Sequence, residues 1–302
     1  MDKEQQADYQ QAQRLLVEEK WNQASDILEA LLNEVEDPHL ARLTIYSLYR
    51  ARLFTRASVY VFEYLEILIT NFDDAKMAIE IFLESEFYIA ARLAVVRLPG
   101  EWQEKLMPLI QEKEAQAHQN FRETLQLRLK DFYHLGDQGL YEQQDRLQAA
   151  YKLPLQEFVT GAKFILRDPF SHPLVKSSIV ELLCKLKVSE QVTILWLDQQ
   201  EYQIRPIELL PLSLHPVVLA GKEVIRQHLG DNNPQQEQLA LQEFQLQVMF
   251  LYPRIEAVIT DIARWIDIII AHINDEDVSV SDAEEKWQEK LTRLINELME
   301  KH

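Results

Sequence analysis

Apolar residues in the first third of the chain recur with a period of 33 residues. One column consists of large aromatic residues, and a column of alanines lies three residues after it. The six columns in register are Trp21, Phe54 and Phe87; Ala24, Ala57 and Ala90; Ala12, Ile45 and Ala78; Leu15, Leu48 and Ile81; Leu16, Tyr49 and Phe82; and Leu32, Leu65 and Leu98. Such self-similarity at a fixed period indicates a tandem repeat.

Each repeat is predicted to contain two helices joined by a short turn. In the first repeat, apolar residues follow i, i+3, i+4 spacing on both sides of residues 20–22, as in two amphipathic helices. Pro38 and the pair Pro99-Gly100 are helix stop signals at the ends of the first and third repeats. A single helical hairpin leaves an apolar face uncovered, so the repeats are expected to stack as a solenoid.

The pattern changes to a period of two between residues 191 and 205. Val192 and Ile194 alternate with the residues between them, and Tyr202 and Ile204 do the same after a polar segment. Alternation of this kind is typical of β-strands. The segment therefore predicts a β-hairpin. Because a two-stranded ribbon alone is marginal in water, it is expected to lie on helices or to pair with another chain.

Prolines divide most of the second half into helices. Predicted helices begin at Pro173, Pro216 and Pro234, where proline fits the first helical turn. A further helix is predicted to run without interruption through residues 253–273.

A last helix is predicted after Ser281, which forms a capping-box signature with Glu284 three residues later. Its apolar stripe includes Trp287 and Leu291. The stripe is expected to dock on the body of the protein or on a second molecule.

These elements together predict a mainly α protein. Residues 1–150 are expected to form a tetratricopeptide-like solenoid of helical hairpins. Residues 151–302 are expected to form a C-terminal helical domain that carries a small β-hairpin near residues 191–205.

The first hundred residues resemble the tetratricopeptide repeat. The resemblance rests on small residues near the middle of the helices, an aromatic residue near the turn and a proline at the end of the repeat. Ile45 departs from this pattern, because it stands where a small residue is expected. In stacks of this family the first helix of each repeat lines the concave face, so the resemblance implies a groove on that face.

The second half is similar to the YsoA-like group of tetratricopeptide-like proteins from low-GC Gram-positive bacteria. The similarity is carried by the order of four short segments, at residues 172–176, 205–209, 233–234 and 251–253. The resemblance implies an architecture and brings no biochemical activity with it.

Composition and charge narrow the classes of partner. A formal net charge of −18, from 31 basic against 49 acidic residues, argues against nucleic acid, because phosphate contacts need a basic surface. The single Cys184 cannot form an internal disulfide, the N-terminus is polar, and no apolar run is long enough to span a bilayer. We therefore expect a cytoplasmic protein without a membrane partner.

Motifs for catalysis or metal binding are missing from the sequence. It has no His-Glu-x-x-His helix, no cysteine and histidine cluster, no Gly-x-Ser-x-Gly elbow and no phosphate-binding glycine loop. We therefore predict that the protein is not an enzyme and that it uses no metal and no cofactor.

The predicted helix start at residues 172–176 has two interpretations. His172 can hold the cap of the helix, which is a structural role. Alternatively, His172 and Lys176 form a small anion site, because a helix N-terminus favours negative charge.

Candidate partner-binding residues follow from the expected groove. They are Tyr9, Gln13, Arg42, Tyr46, Arg50 and Ile79. Tyrosine and arginine are common at binding hot spots. Arg42, Tyr46 and Arg50 share one helix face at i, i+4, i+8 spacing, although a solvated face also explains the two arginines.

The function predicted from these features is that of a non-enzymatic interaction or scaffold protein. It would bind a peptide or protein partner in the groove, and its acidity would favour a basic partner. One alternative is self-association, as a homodimer formed through the hairpin edge or the last helix. The other alternative is a small-anion-binding protein that uses His172 and Lys176.

Overall fold

The structure, a computed structural model, describes residues 1–137, 139–230, 233–274 and 283–299. Within these ranges the chain forms fifteen α-helices and a two-stranded antiparallel sheet, which confirms the predicted fold class. The first eight helices are α1 (Lys3–Val17), α2 (Trp21–Glu34), α3 (Pro38–Arg50), α4 (Phe54–Leu68), α5 (Phe72–Glu84), α6 (Tyr88–Val95), α7 (Gly100–Asn120) and α8 (Arg122–Tyr133).

The remaining elements alternate helices with one hairpin. They are α9 (Leu140–Ala149), α10 (Leu155–Ile165), α11 (Pro173–Lys185), β1 (Val192–Leu195), β2 (Glu201–Ile204), α12 (Pro216–Leu229), α13 (Pro234–Leu251), α14 (Ile262–Ile273) and α15 (Ala283–Met299). No helix of the described residues is both long and apolar enough to cross a membrane. The cytoplasmic location stays a prediction.

Helices α1–α6 form three hairpins that share one turn geometry. In each turn a single non-glycine residue adopts a left-handed conformation: Glu19, Arg52 and Glu86 have φ of 56°, 58° and 64°. The next residue donates its N–H to a carbonyl five positions earlier, as Lys20 does to Leu15 at 2.9 Å. Leu53 and Phe87 make the equivalent bonds to Leu48 and Phe82. These bonds satisfy carbonyls at the end of each first helix.

The same turns correct the predicted register of the third repeat. Equivalent turn residues are 33 apart between the first two repeats and 34 apart between the second and third. The residue equivalent to Trp21 and Phe54 is therefore Tyr88 rather than Phe87, and Ala91 replaces Ala90 in the alanine column. The extra residue lies in α4, which has 15 residues where α2 has 14 and which departs from helical geometry at Tyr64.

Contacts divide the chain into two compact units. Unit 1 consists of Met1–Phe132 with Gln148–Phe158. Unit 2 consists of Tyr133–Leu147 with the described residues from Val159 onward. The division into domains at residue 150 stays a prediction.

The predicted β-hairpin is confirmed. Val192 pairs with Ile204 and Leu195 pairs with Glu201 in an antiparallel register. The side chains of Val192 and Ile194 are buried, so β1 lies with one face in the interior of unit 2. The turn uses Gln199 with φ of 64° in place of the usual glycine.

The prediction of one helix through residues 253–273 is wrong. The peptide bond between Tyr252 and Pro253 is cis, a short 3-10 turn follows at Ile255–Ala257, and α14 begins only at Ile262. The Asp261 side chain caps α14 by accepting a hydrogen bond from the Arg264 N–H at 3.1 Å.

The apolar stripe of α15 docks within unit 2. Leu291 and Ile295 are buried, and the Gln288 side chain donates to the Trp265 carbonyl at 2.8 Å. Ser281 of the predicted capping box lies outside the described residues. The Glu284 carboxylate accepts from the Thr260 N–H at 2.7 Å. A homodimer stays a prediction. The apolar stripe of α15 is already packed against other residues of unit 2.

Candidate functional site

The corrected register decides which residues of the first helices are accessible. Gln13, Tyr46 and Glu80 occupy the same position in α1, α3 and α5, because the turns are 33 and 34 residues apart. Gln13 is exposed and Tyr46 keeps 37% of its surface accessible. Ile79 is only 1% exposed, because it is equivalent to the buried Ile45 and not to Tyr46. We therefore leave Ile79 out of the candidate surface.

Tyr46 belongs to a cluster with Trp21 and Arg50, here called the aromatic cluster. The rings of Trp21 and Tyr46 meet edge to face, with centroids 5.9 Å apart. The Arg50 guanidinium lies 4.3 Å from the Trp21 ring centroid and donates to the Tyr46 hydroxyl at 2.6 Å. The cluster fixes a partly exposed tyrosine ring on the first-helix face.

Tyr9 and Arg42, two other predicted groove residues, make contacts within the repeat stack. Tyr9 is half-buried and packs against the apolar core between α1, α2 and α3. The Arg42 guanidinium lies 2.7 Å from the Asp74 carboxylate and donates to the Ile67 carbonyl at 3.2 Å. Arg42 therefore ties α3 to α4 and α5.

The first helices of unit 1 form a groove, here called the α3–α7 groove, whose lining residues the sequence analysis did not name as partner contacts. Its volume is about 340 Å³. It is lined by Tyr49, Phe54, Glu80, Leu83, Glu84, Leu109, Glu112, Lys113 and Gln116. Tyr49 lies on the same face of α3 as Tyr46 and Arg50, at i, i+3 and i+4 positions. The groove and the aromatic cluster are therefore neighbours.

Negative charge predominates in the α3–α7 groove. Glu80, Glu84 and Glu112 line it against one cation, Lys113, which lies 2.7 Å from Glu84. The Tyr49 hydroxyl donates to the Glu80 carboxylate at 2.5 Å, and this hydrogen bond raises the pKa of Tyr49 to about 12. Glu80 has a more distant cation in Lys76, at 3.7 Å, and Glu112 accepts from the Gln116 amide at 3.2 Å, so these two carboxylates are less closely neutralised than Glu84.

The structure gives His172 and Lys176 different roles. The His172 side chain is the N-cap of α11, and its Nδ1 atom accepts from the Leu174 N–H at 3.2 Å. Lys176 is only 6% exposed and donates to the Leu195 carbonyl at 3.1 Å. Burial lowers the pKa of Lys176 to about 8.

The described part of the chain contains no metal-binding cluster, and its one cysteine is not in a reactive environment. There, no group of three or more histidine, cysteine, aspartate and glutamate side chains could hold a metal ion. Cys184 is buried and its thiol donates to the Leu209 carbonyl at 3.2 Å. Burial raises the pKa of Cys184, which opposes formation of the reactive thiolate.

One known protein shows a partial similarity to this sequence. A stretch of 72 residues is 35% identical to the TPR repeat-containing protein YsoA of Bacillus subtilis (strain 168). The stretch is 24% of this chain, and the chain spans about one-fifth of that protein's length. No protein-family model and no solved structure matches the chain. The similarity weakly supports a tetratricopeptide-like relationship and a role in protein interaction.

Proposed function

We propose that the protein is a non-enzymatic interaction protein that binds a basic peptide segment of a partner protein in the α3–α7 groove. The observation that carries this proposal is the juxtaposition of a carboxylate-lined groove with an exposed, rigidly held tyrosine on the same helix face. The partial similarity to a TPR repeat-containing protein supports a role of this kind.

The chemistry of the groove favours lysine or arginine in the ligand. Glu80 and Glu112 can accept charge-assisted hydrogen bonds, which are stronger than those between neutral groups. Leu83, Leu109 and Phe54 also line the groove and supply apolar contact. A segment that combines basic and apolar side chains would satisfy both parts of the lining.

The two arginines first expected to contact the partner have a different role in this proposal. Arg42 is bound to Asp74, and Arg50 lies over Trp21. Both arginines have partners within the repeats, and Tyr46 supplies the aromatic contact to the ligand.

Neutralising the groove tests this proposal. Peptides selected from a random displayed library on the intact protein are expected to be enriched in lysine and arginine. The double substitution Glu80→Gln/Glu112→Gln is expected to weaken binding of such a peptide by about tenfold, because two acceptors lose their charge. Fluorescence anisotropy with the labelled peptide at low and high salt measures the effect. The affinity lost on raising salt should be smaller in the variant.

A matched control separates the groove from the net charge. Glu104→Gln/Glu123→Gln removes the same charge from exposed residues outside the lining and should leave the affinity within about twofold of wild type. Selection of acidic peptides, or equal loss in both double variants, would contradict the proposal.

A further inference from the structure

Unit 2 contains a small cavity between the start of α11 and the β-hairpin. Its volume is about 70 Å³, and its wall includes Lys176, Trp196, Ser171 and Ser177. A site needs at least about 10–15 Å³ of such volume to hold one water molecule, so the cavity has room for more than one. This is the size of a small polyatomic ion.

Lys176 brings a buried charge without a close ion-pair partner to the wall of this cavity. Lys176 is only 6% exposed, and its ammonium group donates one hydrogen bond, to the Leu195 carbonyl. An ammonium group has three donors. Among the described residues Lys176 forms no ion pair within 4.0 Å, and the Asp168 carboxylate offsets the burial of its charge only in part.

Trp196 brings a second unused donor. Its side chain is 5% exposed, and its Nε1 atom is buried without a hydrogen-bond acceptor in the described part of the protein. The hydroxyls in the wall are already engaged: Ser171 donates to Asp168 at 2.7 Å, and Ser177 donates to the Tyr252 carbonyl at 3.0 Å. Buried donors of this kind are rarely left unpaired.

We propose that this cavity binds a small oxyanion, a phosphate or carboxylate group, which accepts hydrogen bonds from the Lys176 ammonium and the Trp196 indole N–H. The ligand would supply both the acceptors and the negative charge that the wall lacks. The position of Lys176 in the first turns of α11 adds the favourable potential of a helix N-terminus.

The cost of burying Lys176 supports a role in binding. Desolvation disfavours its charged form, and Asp168 opposes that effect only in part. A cation buried in this cavity wall destabilises the folded protein at neutral pH as long as the cavity is empty. Groups whose pKa is shifted by burial are concentrated at functional sites. An anion in the cavity would offset the cost of desolvating the Lys176 ammonium group. This site lies in unit 2 and is independent of the α3–α7 groove.

Titration with inorganic phosphate and, separately, with acetate tests the proposal. Isothermal calorimetry and thermal melts of the full chain, at ionic strength held constant with sodium chloride, are expected to show saturable binding and a rise in Tm for at least one anion. Binding of phosphate alone assigns a phosphate group, and binding of acetate alone assigns a carboxylate.

Three variants connect the binding to the cavity. Lys176→Met keeps the apolar stem and is expected to weaken binding more than tenfold, because it removes a charged donor. Trp196→Phe keeps an aromatic ring but removes the indole N–H, and it should weaken binding by about threefold or more. Lys185→Met, on the exposed side of α11 beside Glu181, should bind as wild type does.

Two results would overturn the proposal. One is the absence of saturable binding of either anion to the wild-type protein. The other is binding that persists unchanged in Lys176→Met, or in Trp196→Phe should the lysine variant not fold.

Discussion

Replacing Glu114 with alanine is expected to lower the free energy of unfolding of unit 1 by about 3–5 kcal/mol, because it leaves a buried charge without its partner. Arg92 on α6 and Glu114 on α7 form a bidentate ion pair. The Arg92 Nε and Nη2 atoms donate to the two Glu114 carboxylate oxygens at 2.7 and 2.6 Å. Their side chains are only 14% and 10% exposed. Glu114 also accepts from the Leu155 N–H at the start of α10, at 3.1 Å. Alanine therefore leaves both a guanidinium and a backbone donor unpaired.

The neighbouring residue on α7 offers the control for this prediction. Lys113 pairs with Glu84 at 2.7 Å, but both side chains are more than one-third exposed. Lys113→Ala should therefore cost less than about 1 kcal/mol. The double variant Arg92→Met/Glu114→Leu should recover most of the stability lost by Glu114→Ala, since apolar replacement of a buried pair is often neutral.

Urea denaturation followed by far-ultraviolet circular dichroism measures these differences. A shift of the transition midpoint at constant slope reports a change in stability. If Glu114→Ala and Lys113→Ala lowered the free energy of unfolding equally, the buried Arg92–Glu114 pair would stabilise the protein no more than a surface pair does.

Hydrophobic periodicity was sufficient to predict the helical hairpins and the β-hairpin, but not the register of the third repeat. Helix α5 is buried on nearly every side: Met77, Ala78, Ile79, Ile81, Phe82 and Leu83 are all core residues. A shift by one residue replaces one apolar residue with another, so the columns match almost equally well. The left-handed residue of the turn is Glu86. A glycine at this position would have marked the correct register in the sequence.

The acidic lining of the α3–α7 groove could not be predicted because its residues are distant in the sequence. Glu80 and Glu112 come from α5 and α7, which only the stacking of repeats brings together. The sequence also does not show that Arg42 is bound to Asp74 or that Arg50 packs on Trp21. Periodicity indicates that these side chains share a helix face, whereas their partners depend on tertiary contacts.

Tyr46 is a predicted partner-binding residue, and its ring is partly exposed in the structure. Tyr46→Ala is expected to weaken binding of a peptide selected on the groove by about 2 kcal/mol, roughly thirtyfold, as for an aromatic hot spot. The ring lies next to Tyr49 on α3, is partly exposed, and is held by Trp21 and Arg50. Because it is already ordered in the free protein, little side-chain entropy is lost when a ligand packs on it.

Two variants separate the contact made by the ring from its effects on the fold. Tyr46→Phe loses only the hydroxyl that accepts from Arg50, so it should bind within about threefold of wild type. Phe62→Ala removes an aromatic ring of similar exposure from α4, outside the groove lining, and should leave the affinity unchanged. Anisotropy titrations of all three variants, with melting curves as a check on folding, measure these effects. If Tyr46→Ala and Phe62→Ala bound the peptide equally well, Tyr46 would be a support of the repeat stack rather than a contact for the ligand.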